Sequence, residues 1–329
     1  MKLYYPWLMA ILAALTLLVS NGMAITGLSV FDEALLGEFG WSRGELKFNG
    51  LITMVVTGLL APFAGILLDR YGVRICMMVG WLFLAIAYWL YGNINGLTDM
   101  YLIHIMFSVV LVFCGLNPAV ILVSTWFVAR RGTAIGIALV GTSLGGAVFP
   151  QISTRLIESM GWRDAFQTEV IVPIVLLFIA FFIVRNKPAD VAMSAYGGDN
   201  AVQADGSAAV LTGVAYKDAI KTSSFWSLAL IAMFTFYSVL GVSAHLFLYM
   251  RDLAFTPAVA ANAISTFFLC ALVGKFIFGL SADYIDQRKV FYGNIFVMLV
   301  GAVMLAAMQT PLVWFSVVLF GLGWGASIP

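Results

Sequence analysis

The sequence has few of the residues that catalyse reactions, bind metals or form disulfides. Its 329 residues include two histidines and three cysteines, and Cys76, Cys114 and Cys270 stand at unrelated spacings. Cysteines at such spacings fit a role as small apolar packing residues, and they predict neither a metal site nor a set of disulfides. The two histidines lie in separate predicted helices and have no paired carboxylate at a catalytic spacing. We therefore expect no enzyme activity, no metal and no cofactor.

Charge is also scarce. Charged residues make up 10% of the chain and hydrophobic residues 62%, and the mean hydropathy is +1.01. This composition predicts an exterior that faces lipid rather than water or nucleic acid. Apolar runs of about 20 residues, long enough to cross a bilayer core of about 30 Å, recur along the sequence. Short segments of alternating polarity, the mark of a transmembrane β-barrel, are absent. The predicted class is an all-α polytopic membrane protein.

The apolar runs predict ten transmembrane helices. The tenth begins near Leu312 and is followed by no polar tail before Pro329, so we expect the chain to be incomplete at this point. The other nine predicted spans are 7–31, 48–68, 75–92, 100–127, 133–157, 165–184, 225–250, 258–280 and 290–308.

One long polar segment, 185–224, interrupts the hydrophobic pattern. Its stretch rich in Gly, Asp, Ser and Ala cannot bury a core, so it divides the chain into an amino-terminal half, 1–184, and a carboxy-terminal half, 225–329. The alternation of apolar and charged residues over 215–222 fits a short helix on the membrane surface and a plain linker equally well.

The distribution of basic residues predicts the orientation. Eleven of the 17 lysines and arginines fall on one side of the predicted spans and five on the other. Because loops rich in Lys and Arg stay in the cytoplasm, the amino terminus and the segment 185–224 should be cytoplasmic, in an inner (plasma) membrane.

An internal repeat links the two halves. A short motif follows the second predicted helix of each half, and its matching residues are separated by a constant offset of 214 positions. Duplicated helical bundles of this kind are typical of transporters. The pairs are Gly65 and Gly279, Asp69 and Asp283, and Arg74 and Arg288.

The first copy resembles the loop signature of the major facilitator superfamily. This resemblance implies two six-helix bundles around a central cavity, the second incomplete here. In that family the Gly allows close helix approach, and the Asp joins a charge network with a helix amino terminus and nearby arginines that closes the cytoplasmic side. The alternative is that these residues only fix topology as positive-inside charges. The second copy departs from the signature at Tyr284 and Asp286. The matching residues of the first copy are Gly65, Leu67, Asp69, Arg70, Gly72 and Arg74.

A narrower resemblance covers almost the whole chain. The sequence is similar to the monocarboxylate and oxalate/formate transporter branch of that superfamily. Each matching segment is weak alone, and their order along the chain carries the resemblance. The segments are 39–45, 130–137, 141–150, 161–166 and 245–257.

Lys275 is the one lysine or arginine in the interior of a predicted span, since Arg155 lies two residues before the end of the span 133–157. A charge in hydrocarbon is unfavourable, so Lys275 should have a partner or a function. By the resemblance it aligns with a cationic position of helix 8 that holds a substrate carboxylate, which a lysine can do as a point charge. Alternatively, because it lies about 12 Å from the loop at Asp283, its side chain snorkels to the cytoplasmic interface.

Other polar residues in the predicted spans are further candidates. His245 resembles a histidine common in this branch and can carry or relay a proton, or else it is a packed histidine lining the vestibule. Asn21, Asn117 and Ser238 lie near the middle of their spans, where they line a cavity or form interhelical hydrogen bonds. His104 has no such support and should be structural.

Acidic residues are missing from the centres of the predicted helices, and Glu169 lies only about four residues into helix 6. Beside an intramembrane lysine, this absence favours an anionic substrate. Helix 1 carries no cation between Lys2 and Arg43, whereas animal monocarboxylate carriers have a lysine there, so their scheme of proton symport does not transfer directly.

The predicted function is a monomeric secondary active transporter for a small organic anion, a mono- or dicarboxylate, working by alternating access. Protons or a counter-anion would be the co-substrates, in symport or antiport. The alternative is an exporter of a neutral or amphipathic compound, in which Lys275 is structural. A receptor would need a sensory domain, and the longest loop is too short for one.

Overall fold

The computed structural model describes residues 4–197, 218, 220–281, 285–307 and 312–325. Within these ranges the chain is helical apart from loops and one isolated bridge between Phe127 and Tyr196. The helices are α1 Tyr5–Asn21, α2 Asp32–Phe39, α3 Arg43–Tyr91, α4 Leu97–Cys114, α5 Leu116–Trp126, α6 Arg131–Met160, α7 Trp162–Glu169, α8 Ile171–Phe182, α9 Ser223–Asp252, α10 Pro257–Ser281, α11 Gln287–Ala306 and α12 Val313–Trp324.

Eight apolar helical segments of the described chain are long enough to cross a membrane, and α12 is a shorter apolar helix. Helix α3 has 49 residues, about 74 Å at 1.5 Å per residue, which is more than twice the thickness of a bilayer core. Its backbone leaves the helical conformation at Gly72, where φ is 81° and ψ is 160°. Helix α3 therefore makes two crossings, and the prediction of an all-α membrane fold is confirmed.

Helix α3 begins at Arg43, five residues before the start at residue 48 that the apolar run predicts. The Ser42 hydroxyl accepts a hydrogen bond from the Glu45 amide, and the Glu45 carboxylate accepts one from the Ser42 amide at 2.9 Å. This capping box satisfies amide groups at the start of the helix, so polar residues extend it beyond its apolar part.

Two spans that were predicted as continuous, 100–127 and 165–184, are interrupted. Helices α4 and α5 separate at Gly115, whose φ is −86° and ψ is −158°. Helices α7 and α8 separate at Val170, where φ of −53° and ψ of −29° stay in the helical range, so this separation is slighter than the one at Gly115. In each case a proline follows within three residues, Pro118 and Pro173, and lacks the amide hydrogen that would continue the helical ladder. Hydropathy does not register such breaks.

The first span also differs from the prediction of one helix over 7–31. After α1, residues Gly22–Thr26 form a π-helical turn and Gly27–Phe31 a 3₁₀ turn, before α2 extends the span to Phe39. A β-carbon at Gly22 would lie 2.1 Å from the Phe149 ring of α6, so the altered turns occur where α1 and α6 are in close contact.

Glycines bring α6 against its neighbours. A β-carbon at Gly141 would lie 2.0 Å from the Ala14 carbonyl oxygen, and one at Gly145 would lie 2.1 Å from that of Leu18. The backbones of α1 and α6 are therefore in contact, as small residues allow in membrane proteins. On another face, Gly146 lies under the Phe268 ring of α10.

The two halves of the described chain meet mainly where α6 packs against α10, and also where α9 contacts residues 22–31. Helix α8 ends at Phe182 and α9 begins at Ser223. Residues 198–217 and 219 lie outside the described residues, and with them most of the surface helix considered for 215–222. The domain boundaries at 184 and 225 stay predictions.

Candidate functional site

The Lys275 side chain crosses from α10 to α6. Its ammonium donates to the hydroxyls of Thr142 and Ser143, both at 3.0 Å, and lies 3.5 Å from the Leu139 carbonyl oxygen. The ammonium also lies 5.6 Å from the centre of the Trp324 ring. Within the described chain no carboxylate is within 4.0 Å of it. The partners are thus neutral, and the positive charge is not compensated by an ion pair.

The depth of the ammonium follows from its partners. Thr142 lies 11 residues after Arg131, the first residue of α6, which is about 17 Å along the helix. This is about half the thickness of a bilayer core. The geometry favours a buried polar site between the halves over a side chain that snorkels to the interface.

Asn21 belongs to the same site. Its side-chain amide donates to the Thr142 carbonyl oxygen at 3.0 Å, so Asn21 of α1 and Lys275 of α10 bind different groups of one α6 residue. Three spans therefore converge at Thr142, and Asn21 forms an interhelical hydrogen bond close to the ammonium. Sequence reasoning missed Thr142 and Ser143, although two adjacent hydroxyl residues in an apolar span are a visible signal.

The remaining predicted site residues do not join this cluster. His245 is exposed on α9, and Asn117 is exposed at the second residue of α5. The Ser238 hydroxyl donates at 2.9 Å to the Phe234 carbonyl of its own helix. None of the three contacts the Lys275 ammonium, so the structure brings together only Asn21 and Lys275 of the five predicted substrate-binding residues.

His104 is buried, as a structural histidine should be. Its Nδ1 lies 2.8 Å from the Thr53 hydroxyl, and its Nε2 lies 3.4 Å from the Tyr91 hydroxyl. Helices α3 and α4 are joined by these contacts.

Four charged residues join the two halves at one end of the molecule; we call Glu33, Arg43, Arg251 and Asp252 the outer clasp. Arg251 donates two hydrogen bonds of 2.7 Å to the Glu33 carboxylate. Arg43 donates two, of 2.7 and 2.6 Å, to the Asp252 carboxylate. Bidentate pairs of this kind fix geometry as well as charge. From the sequence, both arginines count only as loop charges. A visible signal for the pairs is that Arg251 and Asp252, adjacent and of opposite sign, lie on the same predicted side of the membrane as Glu33 and Arg43.

At the other end, part of the repeated motif is unengaged. Asp69 is exposed and forms no hydrogen bond or ion pair within the described chain. No atom of the described residues lies within 4 Å of a β-carbon built at Gly65, so this glycine makes no close helix contact with the described part of the chain. The Arg70 guanidinium lies 5.4 Å from the centre of the neighbouring Tyr71 ring.

The rest of the first motif is anchored. At Gly72, a β-carbon would lie 2.4 Å from the Asn186 side chain, and the positive φ already disfavours other residues. The Arg74 amide donates to the Asn186 Oδ1 at 2.9 Å, and its guanidinium donates to the Phe181 carbonyl. These contacts fix the turn of α3 against the segment that follows α8.

Less of the second motif copy can be described. Gly279 lies in α10, and the Arg288 amide donates at 2.9 Å to the Asp286 carboxylate at the start of α11. Asp283 lies outside the described residues.

A second polar contact between the halves lies on the same helix pair as Lys275. The Gln151 side chain donates to the Ser265 hydroxyl at 3.1 Å, and that hydroxyl donates to the Ala147 carbonyl oxygen at 2.6 Å. This contact carries no charge, which makes Ser265 a matched control for Lys275.

A helical membrane protein whose described residues form a buried polar site between two halves, with ion pairs joining the halves at one end, has the architecture of a transporter. The chain belongs to the Major Facilitator Superfamily, whose family model matches residues 12–329. It is a multi-pass membrane protein of this transporter family.

Curated relatives within the family have different transport roles. The chain is 32% identical over 147 residues to the Fujikurins efflux protein of Gibberella fujikuroi, a match that covers 45% of this chain and 32% of that protein. It is 26% identical over 155 residues to human Monocarboxylate transporter 6, covering 46% of this chain and 31% of that protein. Each match spans about a third of the relative's length.

Solved structures share the fold. The xylose transporter XylE from E. coli, in a partially occluded inward open conformation, aligns with a TM-score of 0.72 and 12% identity. The alignment covers 98% of this chain and 85% of that one.

Proposed function

We propose that this protein is a secondary active transporter that moves a small organic anion, a mono- or dicarboxylate, and that Lys275 binds the substrate carboxylate. One observation carries the proposal: a lysine ammonium lies between the two halves, about 17 Å along α6, with neutral partners only. An intramembrane cation without a counter-charge is unfavourable unless a ligand supplies that charge. A carboxylate can accept hydrogen bonds from the ammonium and from the hydroxyls of Thr142 and Ser143 together.

Asn21 and the similarity to Monocarboxylate transporter 6 support this assignment. The Asn21 amide holds the α6 backbone at Thr142, so it positions the hydroxyl that contacts Lys275. We infer that His245, Asn117 and Ser238 act elsewhere on the substrate path, because none of them contacts the ammonium in this conformation.

A second candidate function is the export of a neutral or amphipathic compound. The chain's similarity to the Fujikurins efflux protein favours it. In that case the two hydroxyls and the Leu139 carbonyl serve as the permanent partners of Lys275, and its role is to hold α10 against α6.

The transport cycle follows from the two ends. With the amino terminus in the cytoplasm, the outer clasp lies on the extracytoplasmic side, and this conformation is the inward-facing one. In the opposite state the clasp would open, while Asp69 and Gly65 would engage the other half and close the cytoplasmic side. The rocking of two bundles around a central site is the expected mechanism.

Uptake by proteoliposomes that hold the full-length protein tests the proposal. The panel is labelled lactate, pyruvate, formate and oxalate, with and without a pH gradient. We expect saturable uptake of at least one anion, its loss in Lys275→Ala, partial uptake in Lys275→Arg and near-normal uptake in Ser265→Ala, which removes a neutral contact on the same helix.

Equal uptake by the wild type, Lys275→Ala and Lys275→Arg would exclude carboxylate binding at this residue. If the folded wild type takes up none of the anions, the exporter function is favoured.

A further inference from the structure

Glu169 is a buried carboxylate that the proposed substrate site does not use. It ends α7, and its exposed fraction is 2%. The Ser153 hydroxyl of α6 donates to its Oε1 at 2.5 Å, while its Oε2 is buried with no hydrogen-bond partner. Within the described chain no lysine, arginine or histidine nitrogen lies within 4.0 Å of it.

The contrast with Asp32 shows how unusual this environment is. Asp32 is also buried, at 3% exposure, but it forms an ion pair with Lys47 of α3. An ionised carboxylate buried with a single hydroxyl partner has no such compensation, and its burial is strongly unfavourable. Binding a proton neutralises the carboxylate, which costs much less free energy than burying its charge.

The elements around Glu169 supply no cation to it. From α3, Tyr88 is the ionisable side chain that it interacts with electrostatically, and the Tyr88 hydroxyl donates instead to the Met23 carbonyl at 2.7 Å. On α6, Arg155 and Glu158 are exposed. Helix α8 contains no ionisable residue.

On its own helix, the charged neighbours of Glu169 point elsewhere. Arg163 pairs with Glu38, and Asp164 is exposed. One turn before Glu169, the Phe166 ring stacks on Phe31 with centroids 3.9 Å apart, so the surroundings on this side are aromatic.

A route for proton exchange lies next to the acid. Ser153 is followed on α6 by Thr154, whose buried hydroxyl also lacks a partner. Thr154 lines a cavity of about 240 Å³ between the two halves, and Glu33 of the outer clasp lines the same cavity. The cavity reaches Thr154 but not Ser153 or Glu169 themselves, so opening the clasp would admit water one residue away from Ser153, the hydrogen-bond partner of the acid within the described chain.

We propose that Glu169 is a proton-binding site of the amino-terminal half. It holds its proton while the outer clasp is closed and exchanges it through the neighbouring cavity when the clasp opens. The role of Glu169 in coupling proton movement to anion transport rests on the proposed function, whereas the binding of a proton by Glu169 does not.

Infrared spectroscopy of the purified full-length protein tests proton occupancy directly. At neutral pH we expect a carbonyl stretching band of a protonated carboxylic acid that disappears in Glu169→Gln and persists in Glu158→Gln, which removes an exposed carboxylate nearby. In Ser153→Ala the band should remain but shift, because its hydrogen bond is lost. A spectrum without the band, or a band that Glu169→Gln leaves unchanged, overturns the proposal.

The amide of Glu169→Gln matches the shape of a neutral acid, so we expect this variant to fold. If it does not fold, Ser153→Ala still tests the assignment, because a band whose frequency this substitution does not change is not from Glu169. In proteoliposomes, Glu169→Gln should abolish the stimulation of uptake by a pH gradient while retaining substrate exchange.

These results separate the two proposals. The infrared band together with no anion uptake by the wild type would retain the proton site and reject the anion transporter. Anion uptake by the wild type without the infrared band would retain the anion transporter and reject the proton site.

Discussion

The two ends of the molecule contain similar charges but use them differently. At the outer clasp, two arginines and two carboxylates form bidentate pairs between the halves. At the other end, Asp69 has no partner in the described chain, and the space beside Gly65 is open. In the proposed transport cycle, an unpaired charge at one end belongs to a conformation in which the other end is closed.

Within this end, the first part of the motif is free and the second part is fixed. Gly72 and Arg74 are held by Asn186, whereas within the described chain Gly65 has no close neighbour and Asp69 forms no hydrogen bond or ion pair. We infer that the first pair maintains the turn between the two crossings of α3 in every state, and that the second pair acts only when this end closes.

The largest effect should come from reversing a charge in the clasp. Arg251→Glu removes a bidentate pair and places a carboxylate opposite Glu33, and like charges at an interface cost several kcal/mol. We expect the equilibrium to move toward the clasp-open state by about 100-fold or more. Spin-label distances between α2 and α9 would measure this shift.

The matched control is the double variant Glu33→Arg with Arg251→Glu, which restores opposite charges. It should return the distance distribution most of the way to that of the wild type. If the double variant opens as far as the single one, the pair does not hold the clasp closed.

The next largest effect concerns Gly72. Gly72→Ala places a β-carbon at a φ of 81° and against the Asn186 side chain, so we expect thermal destabilisation of about 1–3 kcal/mol. Gly65→Ala, where no atom of the described chain lies within 4 Å of the new carbon, should leave the melting temperature of this conformation unchanged. Equal melting temperatures for both variants would show that the turn is not fixed as described.

Asp69→Asn should have an intermediate effect on turnover and little on stability. The side chain is unpaired here, so its removal leaves this state unchanged, whereas the closed state of this end loses a charged contact. We expect turnover to fall several-fold, because the closed state of this end would be destabilised by about 1 kcal/mol. Membrane insertion and the melting temperature should stay normal. Normal turnover would remove the proposed closing role.

The smallest effect should come from the more exposed half of the clasp. The Arg43 and Asp252 side chains are 52% and 41% exposed, so solvent screens their pair. Arg43→Gln should shift the state equilibrium only about twofold to fivefold, as measured by the same spin-label distances. A shift as large as that of Arg251→Glu would show that the exposed pair holds the clasp closed at least as strongly as the other pair.

Sequence alone predicted the elements that depend on local composition. Hydropathy found the spans, and the motif at Gly65 to Arg74 indicated the family, because both are properties of short stretches. The breaks at Gly115 and Val170 escaped because hydropathy does not register a missing amide hydrogen. Prolines 118 and 173 were visible but were not used.

The candidate site was only partly predictable for a different reason. Lys275 stood out because a cation in an apolar span is unfavourable by itself. Its partners Thr142 and Ser143, and the pairs of the clasp, depend on which helices meet, and residues more than 100 positions apart carry no pairing signal in one sequence. Glu169 was noticed, but its isolation from any cation is visible only in the packed structure.

Equilibrium binding tests the central claim, that Lys275 holds the substrate carboxylate, most directly. Titration calorimetry of the purified full-length protein would compare the wild type, Lys275→Ala and Ser265→Ala, with the anion that gives the highest uptake as the ligand. The account predicts binding by the wild type and by Ser265→Ala, and an affinity at least about 30-fold lower in Lys275→Ala, as expected when a charge-assisted contact of about 2 kcal/mol is lost. Equal affinity in all three proteins would contradict it.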